Sequence, residues 1–86
     1  MNSPERASLT VYIRSGCHLC EDLLLHLQQL RQTHPFDFIT VDVDSDARLK
    51  QLYGILVPVV MHRDVQICHY FLDQAALLQA IGSTIN

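Results

Sequence analysis

RSGCHLCE, residues 14–21, places two cysteines, Cys17 and Cys20, three positions apart. A β-rich run, LTVYI (9–13), precedes this stretch, and leucines at helical spacing follow it. The pattern therefore predicts a strand, a turn at Ser15-Gly16 and a helix that begins at the first cysteine. Positions i and i+3 share one face of a helix, and their Cα separation falls within the roughly 4.4–6.8 Å that disulfides tolerate. The two thiols can therefore form a reversible bridge.

Apolar runs and turn residues predict the remaining elements. A strand at FDFITVDV (36–43) is followed by a short helix, which is capped by Asp44 or Ser45 and has Leu49, Leu52 and Tyr53 facing inward. Two further strands, VPVVMH (57–62) and VQICHYF (65–71), are joined at Arg63-Asp64. Asp73 caps a last helix. A strand-helix-strand unit predicts a parallel pair, and the tight turn predicts an antiparallel hairpin. The order β-α-β-α-β-β-α thus predicts a four-stranded mixed sheet flanked by three helices.

Length and composition indicate one small domain, residues 1–86, in which residues 1–7 are expected to form a disordered tail. The 86 residues are 49% apolar and carry a net charge of −3 with scattered acids, which argues against a nucleic-acid partner. The longest apolar runs fall far short of the ~20 residues of a membrane span, and MNSPERAS lacks the apolar core of a secretory signal. We therefore expect a cytoplasmic monomer with no membrane partner.

A close cysteine pair fits three kinds of site: a redox centre, a metal site, or two inert thiols. In the cytoplasm structural disulfides are rare, and such pairs are more often redox-active or metal-binding. Zinc needs about four ligands. The chain has one Cys-X-X-Cys, and the nearest second pair, Cys68-His69, consists of adjacent residues. The sequence therefore favours redox chemistry and no metal, with metal binding and two inert thiols as the alternatives.

Position within the predicted helix gives the two cysteines different roles. The positive end of the helix dipole and the free backbone N–H groups favour a thiolate on Cys17. Cys20 lies one turn deeper and lacks most of those donors. Cys17 is therefore predicted to attack a disulfide, and Cys20 to resolve the mixed disulfide. A third cysteine, Cys68, is predicted to be an inert core residue, with a third redox thiol as the alternative.

GCHLCE at a strand-to-helix junction and VPVV before a hairpin resemble the thioredoxin fold, and the length and element order are closest to its glutaredoxin-like branch. The resemblance extends from about residue 9 to residue 81, and the CHLC motif is similar to that of small bacterial glutaredoxin-like proteins. It implies an α/β, thioredoxin-like fold and a small thiol–disulfide oxidoreductase in cell redox homeostasis. No cofactor is needed, because the electrons reside in the dithiol. The implied partners are a disulfide-bearing protein or small thiol substrate and a reductant, either a thioredoxin-reductase-like enzyme or glutathione.

The resemblance also implies which residues contact the substrate. Val57-Pro58 would be cis and face the cysteines, with the Val57 backbone pairing with an extended substrate. Arg14, three positions before the nucleophile, would receive a carboxylate and support the thiolate. Asp73 matches an acidic helix cap that meets the glutathione amine. His18, when protonated, could stabilise the thiolate. Simpler roles stay open for the last three: solvated side chains for Arg14 and His18, and helix capping alone for Asp73.

Two departures from typical glutaredoxins bear on the substrate. His18-Leu19 stand where those proteins have Pro-Tyr, and Cys68-His69 stand near the Gly-Gly whose backbone N–H groups bind glutathione. Side chains there hinder close backbone approach, so weak glutathione binding is predicted, with glutathione a possible co-substrate. The rival hypothesis is a non-catalytic thioredoxin-fold module that holds a partner protein, a metal or an iron–sulfur cluster. Metal content and visible absorbance would separate the two.

Overall fold

Strands and helices alternate along the chain in the computed structural model, which describes residues 6–82. The elements are β1 (Ala7–Ile13), α1 (His18–Arg31), β2 (Phe36–Asp42), a 3-10 turn (Val43–Ser45), α2 (Ala47–Tyr53), β3 (Val59–His62), β4 (Val65–His69) and α3 (Gln74–Gly82). The predicted order and the mixed sheet are confirmed. No helix between residues 6 and 82 is both long enough and apolar enough to cross a membrane.

The four strands form one sheet in the order β2-β1-β3-β4. β1 and β2 run parallel, with Ala7 opposite Phe36. β3 runs antiparallel to both β1 and β4. The β3–β4 turn is made by Arg63 and Asp64, which both have positive φ, 52° and 66°. Two consecutive residues of positive φ give the turn geometry that matches the twist of the flanking strands, so the hairpin forms where the sequence predicts it.

Alternation along β1 divides the core between the two faces of the sheet. Leu9 and Val11 are fully buried on one face, where they join the leucines of α1 and two residues of α3. These helix residues are Leu23, Leu27, Leu30, Leu77 and Ile81. On the other face Tyr12 stacks on Tyr53 of α2, with ring centroids 4.4 Å apart. α1 and α3 therefore cover one face of the sheet and α2 covers the other.

The sheet begins at Ala7, two residues before the predicted strand and one residue inside the predicted tail. Ala7 starts β1 and is buried. Arg6 donates from Nη2 to the Phe36 carbonyl and from Nε to Asp37, both at 2.9 Å. Residues 6 and 7 are therefore part of the folded domain, because pairing with β2 extends β1 beyond its β-rich core. The rest of the predicted tail, residues 1–5, lies outside the described residues.

The start of α2 also differs from the prediction. Its N-cap is Asp46, whose Oδ1 accepts hydrogen bonds from the backbone N–H groups of Arg48 (2.7 Å) and Leu49 (3.3 Å). The predicted cap at Asp44 or Ser45 is wrong, because the 3-10 turn takes up residues 43–45 and delays the helix. Leu52, predicted to face inward, is exposed, whereas Tyr53 packs on the sheet.

A buried histidine at the end of β3 predicts a pH-dependent stability. Burial, with a smaller contribution from Arg63, lowers the pKa of His62 below its ordinary value of 6.5. The unfolded chain therefore takes up a proton before the folded chain does, and the free energy of unfolding falls as the pH drops below about 6.5. We expect urea unfolding to show that the wild type loses more stability than His62→Gln between about pH 7.5 and pH 5.5. The same pH slope in both proteins would contradict this assignment.

Candidate active site

Three chain segments meet at one end of the sheet. β1 ends at Ile13 and leads directly into the cysteine stretch. Val59 begins β3 opposite Tyr12, and His69 ends β4 opposite Val59. Because β3 is antiparallel to both neighbours, its start lies beside the ends of β1 and β4. The topology therefore brings residues 14–20, the Val57-Pro58 pair and residues 69–73 to the same end of the sheet.

Cys17 occupies the N-cap position of α1. Gly16 precedes it with φ +75°, a conformation that favours glycine and turns the chain out of β1. Cys17 is extended (φ −93°, ψ 107°), and its sulfur accepts a hydrogen bond from the backbone N–H of Cys20 at 3.1 Å. The sulfur therefore lies at the positive end of a 14-residue helix and contacts one of its free N–H groups. This environment stabilises a thiolate.

Cys20 lies one turn into α1 and is only 2% exposed, whereas Cys17 is part-exposed. Their Cα atoms are 5.1 Å apart, and the two sulfurs lie at disulfide distance. An incoming molecule therefore reaches Cys17 first, and Cys20 is placed to bond to the Cys17 sulfur. The pair can interconvert between a dithiol and an intramolecular disulfide.

The Val57-Pro58 segment is held by a residue that the sequence did not indicate. The Val57-Pro58 peptide bond is cis, and Pro58 is buried. Tyr70 donates from its backbone N–H to the Pro58 carbonyl (2.9 Å) and from its hydroxyl to the Ile55 carbonyl (3.0 Å). Tyr70 thus braces residues 55–58 against the turn that follows β4. The sequence feature that could have indicated it is the Tyr70-Phe71 pair just ahead of the Asp73 cap.

The turn after β4 begins at Tyr70, which is later than Cys68-His69, the place where the sequence comparison with typical glutaredoxins puts it. Cys68 and His69 belong to β4 and pair with Val60 and Val59. The left-handed residue is Tyr70, with φ 64°. The register shift between Val60 and Met61 adds one residue, Ile67, to β4, and this bulge moves the strand end along the chain. The strand predicted through Phe71 stops at His69, because Tyr70 has a left-handed backbone conformation and turns the chain out of the sheet.

Arg14 is engaged by a carboxylate of the chain itself. Its Nε and Nη2 donate to the two Asp44 oxygens, each at 3.1 Å, and Nη1 donates to the Gly54 carbonyl at 3.2 Å. The hydrogen bond from Arg14 holds the pKa of Asp44 below its ordinary value. A Cβ on Gly54 would lie 3.2 Å from Nη2 and 2.5 Å from the Lys50 carbonyl, so glycine permits this close packing. The predicted contact of Arg14 with a substrate carboxylate stays a prediction.

The two other predicted site residues also have local partners. The His18 side chain is 95% exposed, and its Nδ1 lies 3.8 Å from Glu21. Asp73 caps α3, where its Oδ1 accepts a hydrogen bond from the Ala76 N–H at 3.0 Å. Their roles toward a thiolate or a glutathione amine stay predictions.

Cys68 packs against the core. Its thiol is half-buried and unbridged, and burial raises its pKa, which the Asp73 backbone N–H partly opposes. These features agree with the expected core role. Among the residues that the structure describes, no three His, Cys, Asp or Glu side chains are grouped closely enough to hold a metal ion.

Comparison with known proteins adds a family and several structures. The glutaredoxin-like domain family (DUF836) matches residues 8–82. Protein Ne2328 from Nitrosomonas europaea, solved by NMR in solution, is 35% identical over 94% of this chain and 98% of its own, with a TM-score of 0.83. Protein XcR50 from X. campestris is 29% identical over 87% and 96%, with a TM-score of 0.63. A malarial protein, 12% identical over 95% and 100% with a TM-score of 0.61, supports the fold alone. No curated protein matches significantly. The predicted thioredoxin-like fold is confirmed.

Proposed function

This chain belongs to the glutaredoxin-like domain family, and from that premise we propose that it is a small thiol–disulfide oxidoreductase acting on protein or small-molecule disulfides. The observation that carries the proposal is the asymmetry of the cysteine pair. Cys17 caps α1, accepts the Cys20 N–H and is accessible, whereas Cys20 is buried at disulfide distance. An accessible thiolate beside a shielded second thiol is the arrangement that dithiol exchange needs.

The first step forms a mixed disulfide. The Cys17 thiolate attacks one sulfur of the substrate disulfide, and a bond forms between that sulfur and Cys17 Sγ. The substrate S–S bond breaks, and its second sulfur leaves as a thiolate that takes up a proton. Backbone pairing with Val57 would hold an extended substrate in line, as the family resemblance implies.

The second step releases the reduced substrate. Cys20 loses its proton and attacks Cys17 Sγ, which breaks the mixed disulfide and frees the second substrate thiol. Two electrons have then passed to the substrate, and Cys17 and Cys20 are bridged. A reductant, either a thioredoxin-reductase-like enzyme or glutathione, restores the dithiol. No cofactor takes part, and the proposed setting is the reducing cytoplasm, where this exchange contributes to redox homeostasis.

Alkylation of the reduced chain tests the assigned roles. We expect the reaction of Cys17 with iodoacetamide to have its pH midpoint well below ~8.5, the ordinary pKa of cysteine. The midpoint should fall within the range of roughly 3.5–7.5 seen for helix-start Cys-X-X-Cys thiols. Cys20 should react at higher pH. Cys68, whose pKa is raised by burial, is an internal control that should also react late. Mass spectrometry of peptides across the pH series gives the order, and earlier modification of Cys20 than of Cys17 would refute the assignment.

Asp44 should weaken the binding of glutathione. Either carboxylate of glutathione can bind the Arg14 guanidinium, but Asp44 already accepts hydrogen bonds from its Nε and Nη2 groups. We expect Asp44→Asn to lower the Kd of S-methylglutathione, which cannot exchange disulfides, by up to about fivefold from a millimolar value. Asp37→Asn, which removes the carboxylate partner of Arg6, is the matched control and should leave the Kd unchanged. NMR titration of the oxidised chain measures both, and an unchanged Kd in Asp44→Asn would exclude Arg14 from the glutathione site.

A further inference from the structure

A cleft of about 200 Å³ lies between α1 and the turn that follows β4. Leu19, Asp22 and His26 line it from α1, and Tyr70, Phe71 and Leu72 line it from the turn. We call it the Phe71 cleft. Phe71 itself is 68% exposed, so its ring is available to a partner.

The Phe71 cleft includes Leu19, a residue of the CHLC motif. Leu19 stands between Cys17 and Cys20, and His26 lies seven residues further along α1, which is about 10 Å of helix. An extended chain rises about 3.3 Å per residue, so three residues cover the same distance. A substrate segment that reacts at Cys17 therefore has its neighbouring residues within reach of the cleft.

The volume suits one side chain. An apolar cavity of about 150 Å³ holds a benzene molecule, whereas sites for whole small-molecule ligands run from about 300 to 1,000 Å³. At about 200 Å³ the Phe71 cleft matches a single large apolar group. Its leucine, tyrosine and phenylalanine lining favours an aromatic or leucine side chain over a polar one.

The outer wall of the cleft is formed before any ligand binds. Tyr70 is tied to the Pro58 and Ile55 carbonyls, and Phe71 donates its backbone N–H to the His69 carbonyl at 2.7 Å. The opposite wall is a regular helix. Little ordering is therefore needed on binding, which favours affinity.

The charge around the cleft indicates which kind of substrate residue is favoured beside the apolar side chain. Asp22 lines the cleft and is exposed. No lysine or arginine is among the lining residues. A basic residue beside the apolar side chain is therefore attracted, whereas a carboxylate is repelled.

We propose that the Phe71 cleft is a specificity subsite for protein disulfides. It takes a Phe, Leu or Trp side chain that lies two residues from the substrate cysteine, with a Lys or Arg next to it. The inference rests on the proposed function, because it supplies the substrate class for the attack by Cys17. It favours a protein segment over glutathione, whose two carboxylates meet Asp22.

Two peptides test the subsite. Cys-Ala-Phe-Lys and Cys-Ala-Ser-Glu are each joined through cysteine to 5-thio-2-nitrobenzoate. Cys17 of the Cys20→Ser variant attacks the peptide sulfur, and the released thionitrobenzoate is followed by absorbance. We expect the Phe-Lys peptide to react roughly tenfold faster, since burial of one large apolar side chain is worth at least that factor.

Substitutions in the cleft test whether its residues cause the preference for the Phe-Lys peptide. Phe71→Ser and Asp22→Asn, each combined with Cys20→Ser, should reduce the rate ratio by about threefold or more. Leu25→Ser, an exposed leucine on α1 outside the cleft, and Asp64→Asn, in the β3–β4 turn, are the matched controls and should keep the ratio.

A binding measurement that needs no redox chemistry complements the rates. The oxidised chain is titrated with Ala-Ala-Phe-Lys by NMR, and shifts are expected at Leu19, Asp22 and Phe71.

The outcomes separate the two proposals. Equal and measurable rates for the two peptides, or shifts confined to another face, would overturn the subsite even if disulfide exchange is rapid. Shifts at the cleft with no exchange by any variant that retains Cys17 would support the subsite as a peptide site and remove the proposed enzymatic function. A rate ratio that falls in the cleft variants but not in the controls supports both.

Discussion

Cys17→Ser is expected to reduce disulfide turnover to the uncatalysed background, whereas Cys20→Ser is expected to trap mixed disulfides. A serine hydroxyl at residue 17 cannot form the S–S bond of the intermediate, so the first step is lost. In Cys20→Ser the attack by Cys17 remains, but no second thiol resolves the product. Non-reducing electrophoresis with a cysteine-bearing protein substrate shows the trapped species, and a coupled reductase assay measures turnover.

Cys68→Ser is the matched control for both substitutions, because it makes the same change at the unbridged third cysteine. It should retain turnover and form no trapped species. Full activity of Cys17→Ser would refute the mechanism. Mixed disulfides that accumulate in Cys17→Ser but not in Cys20→Ser would reverse the two roles.

Phe36→Ala should cost about 3–5 kcal/mol of unfolding free energy, the range for removing a buried aromatic side chain. Phe36 begins β2, is fully buried, and lies 6.5 Å from the ring of Phe38. It joins the cluster through which α1 and α3 pack on the sheet. Native proteins have about 5–15 kcal/mol in total, so a large part of the stability would be lost. Urea unfolding followed by circular dichroism measures the change.

Phe71→Ala provides the control, because the same side chain is removed from an exposed position. We expect its effect on stability to stay within about 0.5 kcal/mol. Equal losses in the two variants would show that Phe36 does not pack in the core as the structure has it.

Several features of the fold follow from short stretches of sequence. Gly16 between a β-rich run and a leucine-rich run locates the start of α1, and the residue at that start is Cys17. Asp73 caps α3 as predicted. Arg63 and Asp64 turn the hairpin between two apolar runs. Each of these depends on residues within a few positions of one another, and capping and turn formation are local interactions.

Other features depend on residues far apart in the chain. Asp44 was expected to cap a helix, but 30 residues separate it from Arg14, whose guanidinium it binds. Leu52 was expected to face inward, but it is exposed, and Tyr53 is the α2 residue that packs on the sheet through Tyr12. Neither outcome can be read from the spacing of nearby residues, since both depend on contacts with Tyr12 and Arg14, at and just after the end of β1.

The sequence by itself determined the element order, the position of the cysteine pair at a helix start and the division of roles that this position implies. Only the tertiary structure decided what surrounds the pair. The bulge at Ile67 set the register of β4, and the turn that follows β4 holds Tyr70 against Pro58 and Ile55 and lines the Phe71 cleft beside α1. The physical reason is the separation along the chain of the residues that interact. Helix starts and turns are governed by neighbours in the chain, whereas strand register is governed by pairing across the sheet, where one added residue moves everything that follows it.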